Sequence, residues 1–112
     1  MSYPATYNFS YYRGDTYQFN ILPKDAAGVA FPLTGYNAIF SIAPSDGSSA
    51  AVEAPTGSAV ISGGEVQCQI LSDFGKNLLI KPYIYDITIK KAALVYTILK
   101  GTITVSPDVK AD

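Results

Sequence analysis

The 112-residue chain contains no histidine and a single cysteine, Cys68, so the side chains that most often do chemistry near neutral pH are almost missing. Ser-His-Asp and Cys-His catalysis both need an imidazole to take the proton, and are closed off by that absence. Zinc centres need clustered Cys or His. One Cys also excludes an internal disulfide, which fits synthesis in a reducing cytosol. Nine carboxylates are present, but no two stand at a spacing that forces them together as a hydrolase pair. Asp46-Gly47-Ser48 lacks the further oxygen ligands of a calcium loop. Asp86, between Tyr85 and Ile87 in an alternating stretch, either meets a lysine across a hairpin or faces solvent. Arg13-Gly14-Asp15 spells a tripeptide used by cell-adhesion ligands, yet a Gly-Asp turn in a hairpin or kinked connection explains the same residues. The inventory predicts a non-enzyme with no cofactor, no metal and no small-molecule substrate.

Tyrosine is the abundant functional side chain, with nine copies beside five phenylalanines and no tryptophan. Such rings could form a stacking platform for sugars or bases, but Tyr7, Phe9, Tyr11, Tyr17, Phe19, Tyr83 and Tyr85 recur at strand spacing and read as core. Tyr3 and Tyr12 fall off that register. They are either contacts to another protein, where tyrosine is enriched, or ordinary exposed edge residues. Charged residues make up 15% of the chain, against roughly 25% in an ordinary soluble domain. With 8 basic and 9 acidic residues the net charge is -1, and no basic cluster exists to grip a nucleic acid. A surface this poor in charge suggests a component of an assembly. No run approaches the ~18 apolar residues of a membrane span, and residues 1–12 lack the Lys or Arg of a secretory signal, so a soluble, unprocessed chain is expected.

Period-two alternation runs through the whole sequence, without a convincing 3.6-residue stripe, and predicts an all-β domain. Tyr7-Phe9-Tyr11 and Tyr17-Phe19-Ile21 read as two strands around a turn. Val29 to Phe31 reads as a short extended piece. Tyr36-Ala38-Phe40-Ile42 share a face before the loop at 45–49. Residues 51–54 and 59–62 are short candidate strands, and Val66-Cys68-Ile70 face inward along the next one. Residues 72–79 allow one helical turn, with Ser72 as N-cap. Tyr83-Tyr85-Ile87-Ile89 and Leu94 to Val105 form the long final pair, in which Gly101 is expected to mark a bulge that switches the inward face. Seven to eight mainly antiparallel strands in about a hundred residues predict a single immunoglobulin-like β-sandwich, with a small barrel as the alternative. Residues 1–12 are read as an N-terminal aromatic arm or first strand, 13–107 as the sandwich and 108–112 as a polar tail. The candidate contact residues are Tyr3 and Tyr12 of the arm, Arg13 in the following turn, Asp46 in the 45–49 loop and Phe74 in the 72–77 segment.

Several short stretches together resemble small virion proteins of tailed bacteriophages. They are Tyr12-Arg13-Gly14-Asp15-Thr16, Asp25 to Gly28, Pro32-Leu33-Thr34-Gly35-Tyr36, Tyr83-Ile84-Tyr85-Asp86-Ile87, and Lys100-Gly101-Thr102-Ile103-Thr104-Val105-Ser106-Pro107. The resemblance spans nearly the whole chain except residues 51–79. It implies an immunoglobulin-like sandwich that binds the virion, either decorating and cementing the capsid shell or serving in the tail, neck or baseplate. The partners it implies are the major capsid protein, other virion structural proteins or further copies of the chain. The location it implies is the outer capsid surface, reached after synthesis in the host cytoplasm. A host-surface adhesion or carbohydrate-binding module is the remaining class.

Overall fold

The computed structural model describes residues 5–24, 27–55 and 57–107. Nine strands and one helical turn follow in order: Ala5–Thr6 (β1), Phe9–Tyr12 (β2), Tyr17–Ile21 (β3), Asn37–Pro44 (β4), Val52–Glu53 (β5), Ala59–Ser62 (β6), Glu65–Ile70 (β7), Ser72–Gly75 (α1), Pro82–Lys91 (β8) and Leu94–Ser106 (β9). They form two packed sheets, not one closed sheet. The first runs β1-β9-β8-β4-β5, with β2 also on β9; the second runs β3-β7-β6. The all-β sandwich expected from alternation is therefore observed. Among the described residues the strands number nine, the N-terminal one being split into β1 and β2.

Alternation decides what each sheet buries. On β8, Tyr83, Tyr85, Ile87 and Ile89 all face the core, as do Phe40 and Ile42 of β4. From the second sheet Val66, Cys68 and Ile70 close on them, each at most 2% exposed. Filling such positions stabilises the fold by roughly 1.5–3 kcal/mol per large side chain. Burial also pushes the Cys68 thiol up to about 12, so it stays protonated and behaves as a small apolar residue.

Three features differ from the expectations. First, β2 and β3 are not hairpin partners. β2 runs parallel to β9, from Phe9↔Ile103 to Tyr12↔Ser106, whereas β3 lies antiparallel to β7 in the other sheet. The Arg-Gly-Asp turn is the corner by which the chain changes sheets. Asp15 N–H donates to the Tyr12 carbonyl at 3.0 Å, and Gly14 takes the positive φ (89°) that the third position of such a turn needs. Second, the bulge in β9 lies at Ile98 rather than Gly101. Ile87 pairs with Leu99 and Thr88 with Thr97, so Ile98 is the extra residue and the inward face changes there. Third, Ser72 does not cap α1. Leu71 holds the cap position, with no side-chain hydrogen bond, and Ser72 Oγ donates instead to the Gly14 carbonyl at 2.6 Å. Residues 29–31 form no strand, and only the bridge Lys24↔Ala30 remains of that extended piece.

Gly101 has a different task. β1 and β2 keep one register on β9, interrupted at Tyr7 and Asn8. At the interruption the Tyr7 carbonyl crosses the core side of Gly101, where a Cβ would lie 1.9 Å from it. The Tyr85 hydroxyl rises from the core to donate to that carbonyl at 2.6 Å. Asn8 Oδ1 accepts from Thr102 N–H at 2.9 Å, which restores the ladder one residue on. The described part of the N-terminal segment is thus a strand of the first sheet rather than a free arm.

Candidate interaction surface

Four of the five candidate contact residues come to one end of the sandwich. The fifth, Tyr3, lies outside the described residues, as does the 108–112 tail. At that end Tyr12 closes β2 opposite Ser106 and remains 59% exposed, because the inward position of that strand belongs to Tyr11. Arg13 follows it, its N–H donating to the Ser106 carbonyl at 3.1 Å, which seals the corner to the end of β9. The Ser72–Gly14 bond ties the corner to α1, which carries Phe74. Phe74 is half-buried and packs against the core cluster, so its ring supports the turn more than it presents a free face.

α1 sits close because it must. Tyr11 is 1% exposed and reaches across to Gly75, where an added Cβ would collide with the hydroxyl. That hydroxyl donates to the Asp15 carbonyl at 2.6 Å, so one buried ring fixes both the corner and the helical turn. Its pKa is raised, chiefly because burial disfavours the phenolate.

Asp46 stands on the neighbouring loop. It accepts the Ser48 N–H at 2.9 Å and pairs with Lys81 Nζ at 3.3 Å; Lys81 also donates to Ser48 Oγ at 3.0 Å. The Ser48 hydrogen bonds, then the Lys81 ammonium, hold its carboxyl down at about 2. Ser45 N–H donates to the Pro82 carbonyl at 3.2 Å, which fastens this loop to β8. All three connections at this end are therefore cross-braced rather than loose.

Alternation does not find two further residues here. Leu78-Leu79-Ile80 are consecutive, so they cannot all turn inward. Leu78 is buried, while Leu79 and Ile80 are 59% and 47% exposed. An apolar triplet outside any strand is the signal that points to them. Tyr12, Leu79 and Ile80 are each exposed at this end, and the ion pairs Asp46–Lys81 and Asp73–Lys76, the latter at 3.5 Å, lie on its connections.

A shallow trough of about 560 Å³ lies on the outer face of the first sheet, lined in part by Thr6, Asn8, Ser41, Asp86, Lys100 and Thr102. Asp86 stands opposite Lys100 in the β8–β9 register and accepts from Thr88 Oγ1 at 3.4 Å. No second carboxylate lines the trough. Among the described residues no three Cys, Asp or Glu side chains converge as a metal cluster. No protein-family model and no curated protein matches the chain.

Proposed function

We propose that the chain is a non-enzymatic structural component of a tailed-bacteriophage virion, a decoration or cement protein that binds the major capsid protein on the outer surface of the shell and stabilises it. The observation that carries this reading is the braced end of the sandwich, where Tyr12, Leu79 and Ile80 are exposed on connections fixed by the Tyr11, Ser72 and Lys81 hydrogen bonds. A surface that is already rigid loses little entropy on binding, and exposed tyrosines at such sites often carry more than 1 kcal/mol of affinity. Scarce charge favours burial against neighbouring subunits over free solution.

Four of the five stretches that resemble virion proteins also fall on residues that make the fold. Arg13-Gly14-Asp15 forms the corner. Leu33 to Tyr36 forms a turn closed by Tyr36 N–H to the Leu33 carbonyl at 3.1 Å. Tyr85 and Gly101 lock the N-terminal strand. The strand order β9-β8-β4-β5 facing β3-β7-β6 supports reading the sandwich as immunoglobulin-like, with the G-F-C-C′ and B-E-D sheets of a variable-type domain.

Quantitative mass spectrometry of purified particles tests the reading. Copies equal to the capsid protein, or a simple fraction of it, are expected. A handful per particle would move the chain to the tail, neck or baseplate, and absence from particles would sink the virion assignment. Tyr12→Ala should weaken binding to empty shells about tenfold while leaving the fold intact.

A further inference from the structure

We propose that two copies of the chain associate through the free edge of β3, pairing antiparallel about Phe19. Among the described residues β3 is paired on one side only, with β7, and it is the outermost strand of its sheet. Its inward side chains register that openness. Tyr17, Phe19 and Ile21 stay half-buried, whereas Val66, Cys68 and Ile70 beside them are at most 2% exposed. The seam between β2 and β3 is aromatic: Phe9 stacks on Tyr17 at 4.4 Å, Tyr7 on Phe9 at 5.3 Å, and the Tyr7 and Tyr17 hydroxyls share a hydrogen bond of 2.5 Å.

Proteins usually guard such an edge with a charge, a proline, a bulge or a covering segment. Thr16 to Leu22 contains no charged residue, no Pro and no Gly. An edge with those properties pairs readily with another strand.

The sequence of the strand selects the occupant. Antiparallel pairing about Phe19 sets Phe19 against its copy, Tyr17 against Ile21, and Gln18 against Asn20. Apolar side chains then meet on the core side and amides on the solvent side, with no like charges opposed. The solvent face continues the same chemistry, since Gln18 donates to Gln69 at 3.3 Å and Asn20 stands opposite Gln67. Five residues of edge cover less than a standard interface of roughly 1,200 Å² or more, so the dimer is weak in isolation and grows with local concentration. Antiparallel pairing also points the two Tyr12 ends in opposite directions. If the proposed capsid role holds, the dimer is a two-headed link between binding sites; the pairing itself does not depend on that role.

The experiment uses the isolated full chain and needs no virion. Sedimentation up to about 1 mM is expected to show a monomer–dimer equilibrium. Gln18→Lys with Asn20→Lys puts lysines directly opposite one another and should weaken it at least tenfold, with an unchanged circular dichroism spectrum. A Gln18→Cys chain mixed with an Asn20→Cys chain should form the mixed disulfide in preference to either homodimer, because opposed Cα atoms lie about 4.5–5.5 Å apart, within bridging range. A chain that stays monomeric at the highest concentration overturns the proposal. So does a dimer that forms without the selective cross-link or that ignores the paired lysines.

Discussion

The carbonyl of Tyr7 occupies the space that a side chain on Gly101 would fill, and that single exclusion holds the N-terminal strand in place. An added Cβ would meet the Tyr7 carbonyl oxygen at 1.9 Å and its carbon at 2.7 Å. Both are backbone atoms, so neither can swing aside as a flexible side chain could. Gly101→Ala should therefore displace the Tyr7–Asn8 segment, break the bond from the Tyr85 hydroxyl and leave that hydroxyl unpaired beside the core. Overpacking of this kind typically costs about 1–3 kcal/mol, and loss of the hydrogen bond places the expected cost toward the upper end. Urea unfolding measures it. A midpoint unchanged from the parent protein would mean that the segment adjusts freely, and the account of this position would fail.

At the scale of elements, the interruption in the N-terminal strand is repaired by Asn8, whose side-chain oxygen takes the place of a backbone acceptor for Thr102 N–H. Asn8→Ala should cost about 0.5–1.5 kcal/mol, and Asn8→Asp, which keeps an acceptor oxygen, much less. Equal losses in the two variants would show that the oxygen is not what matters. The same elements show what the sequence discloses and what it conceals. Alternation reveals β4, β7 and β8 because each buries one whole face, and such a face leaves a period-two record. Pairing leaves no comparable record. Tyr7 to Tyr11 and Tyr17 to Ile21 look like adjacent partners, while the real partner of β2 lies more than ninety residues downstream. The bulge is misplaced for a related reason: glycine attracts attention as a breaker, but the true sign is Ile98 beside Leu99, two consecutive buried apolar residues in a strand. At the candidate interaction end, Tyr12 is legible because it falls off register. Leu79 and Ile80 are not, because they lie on an irregular connection to which no period applies.

On the scale of the whole molecule, the absence of histidine and the burial of tyrosine together set the pH response. No side chain with an unperturbed pKa between about 5 and 8 is present, so stability should be flat across that range. The alkaline side differs. Burial is the first cause that raises Tyr17, to about 12, with the shared hydrogen bond from Tyr7 adding to it. Burial likewise raises Tyr11 and Tyr85 above their usual range. A group whose folded pKa exceeds its unfolded value of about 10 favours the native state while both forms are protonated. That contribution is fully present below about pH 10 and is lost as the pH climbs through the folded value. The urea midpoint should therefore hold steady from pH 6 to about pH 9 and fall steeply between about pH 10 and pH 12. Tyr17 and Tyr85 belong to one aromatic cluster with Phe9, Phe19 and Phe40, so ionising any of them places a charge among the rings that join the two sheets. Tyrosinate absorbance followed beside circular dichroism should show these phenols ionising together with loss of the β signal. If every phenol titrates near pH 10 while the sheets stay intact, the cluster is open to solvent and does not hold the layers together.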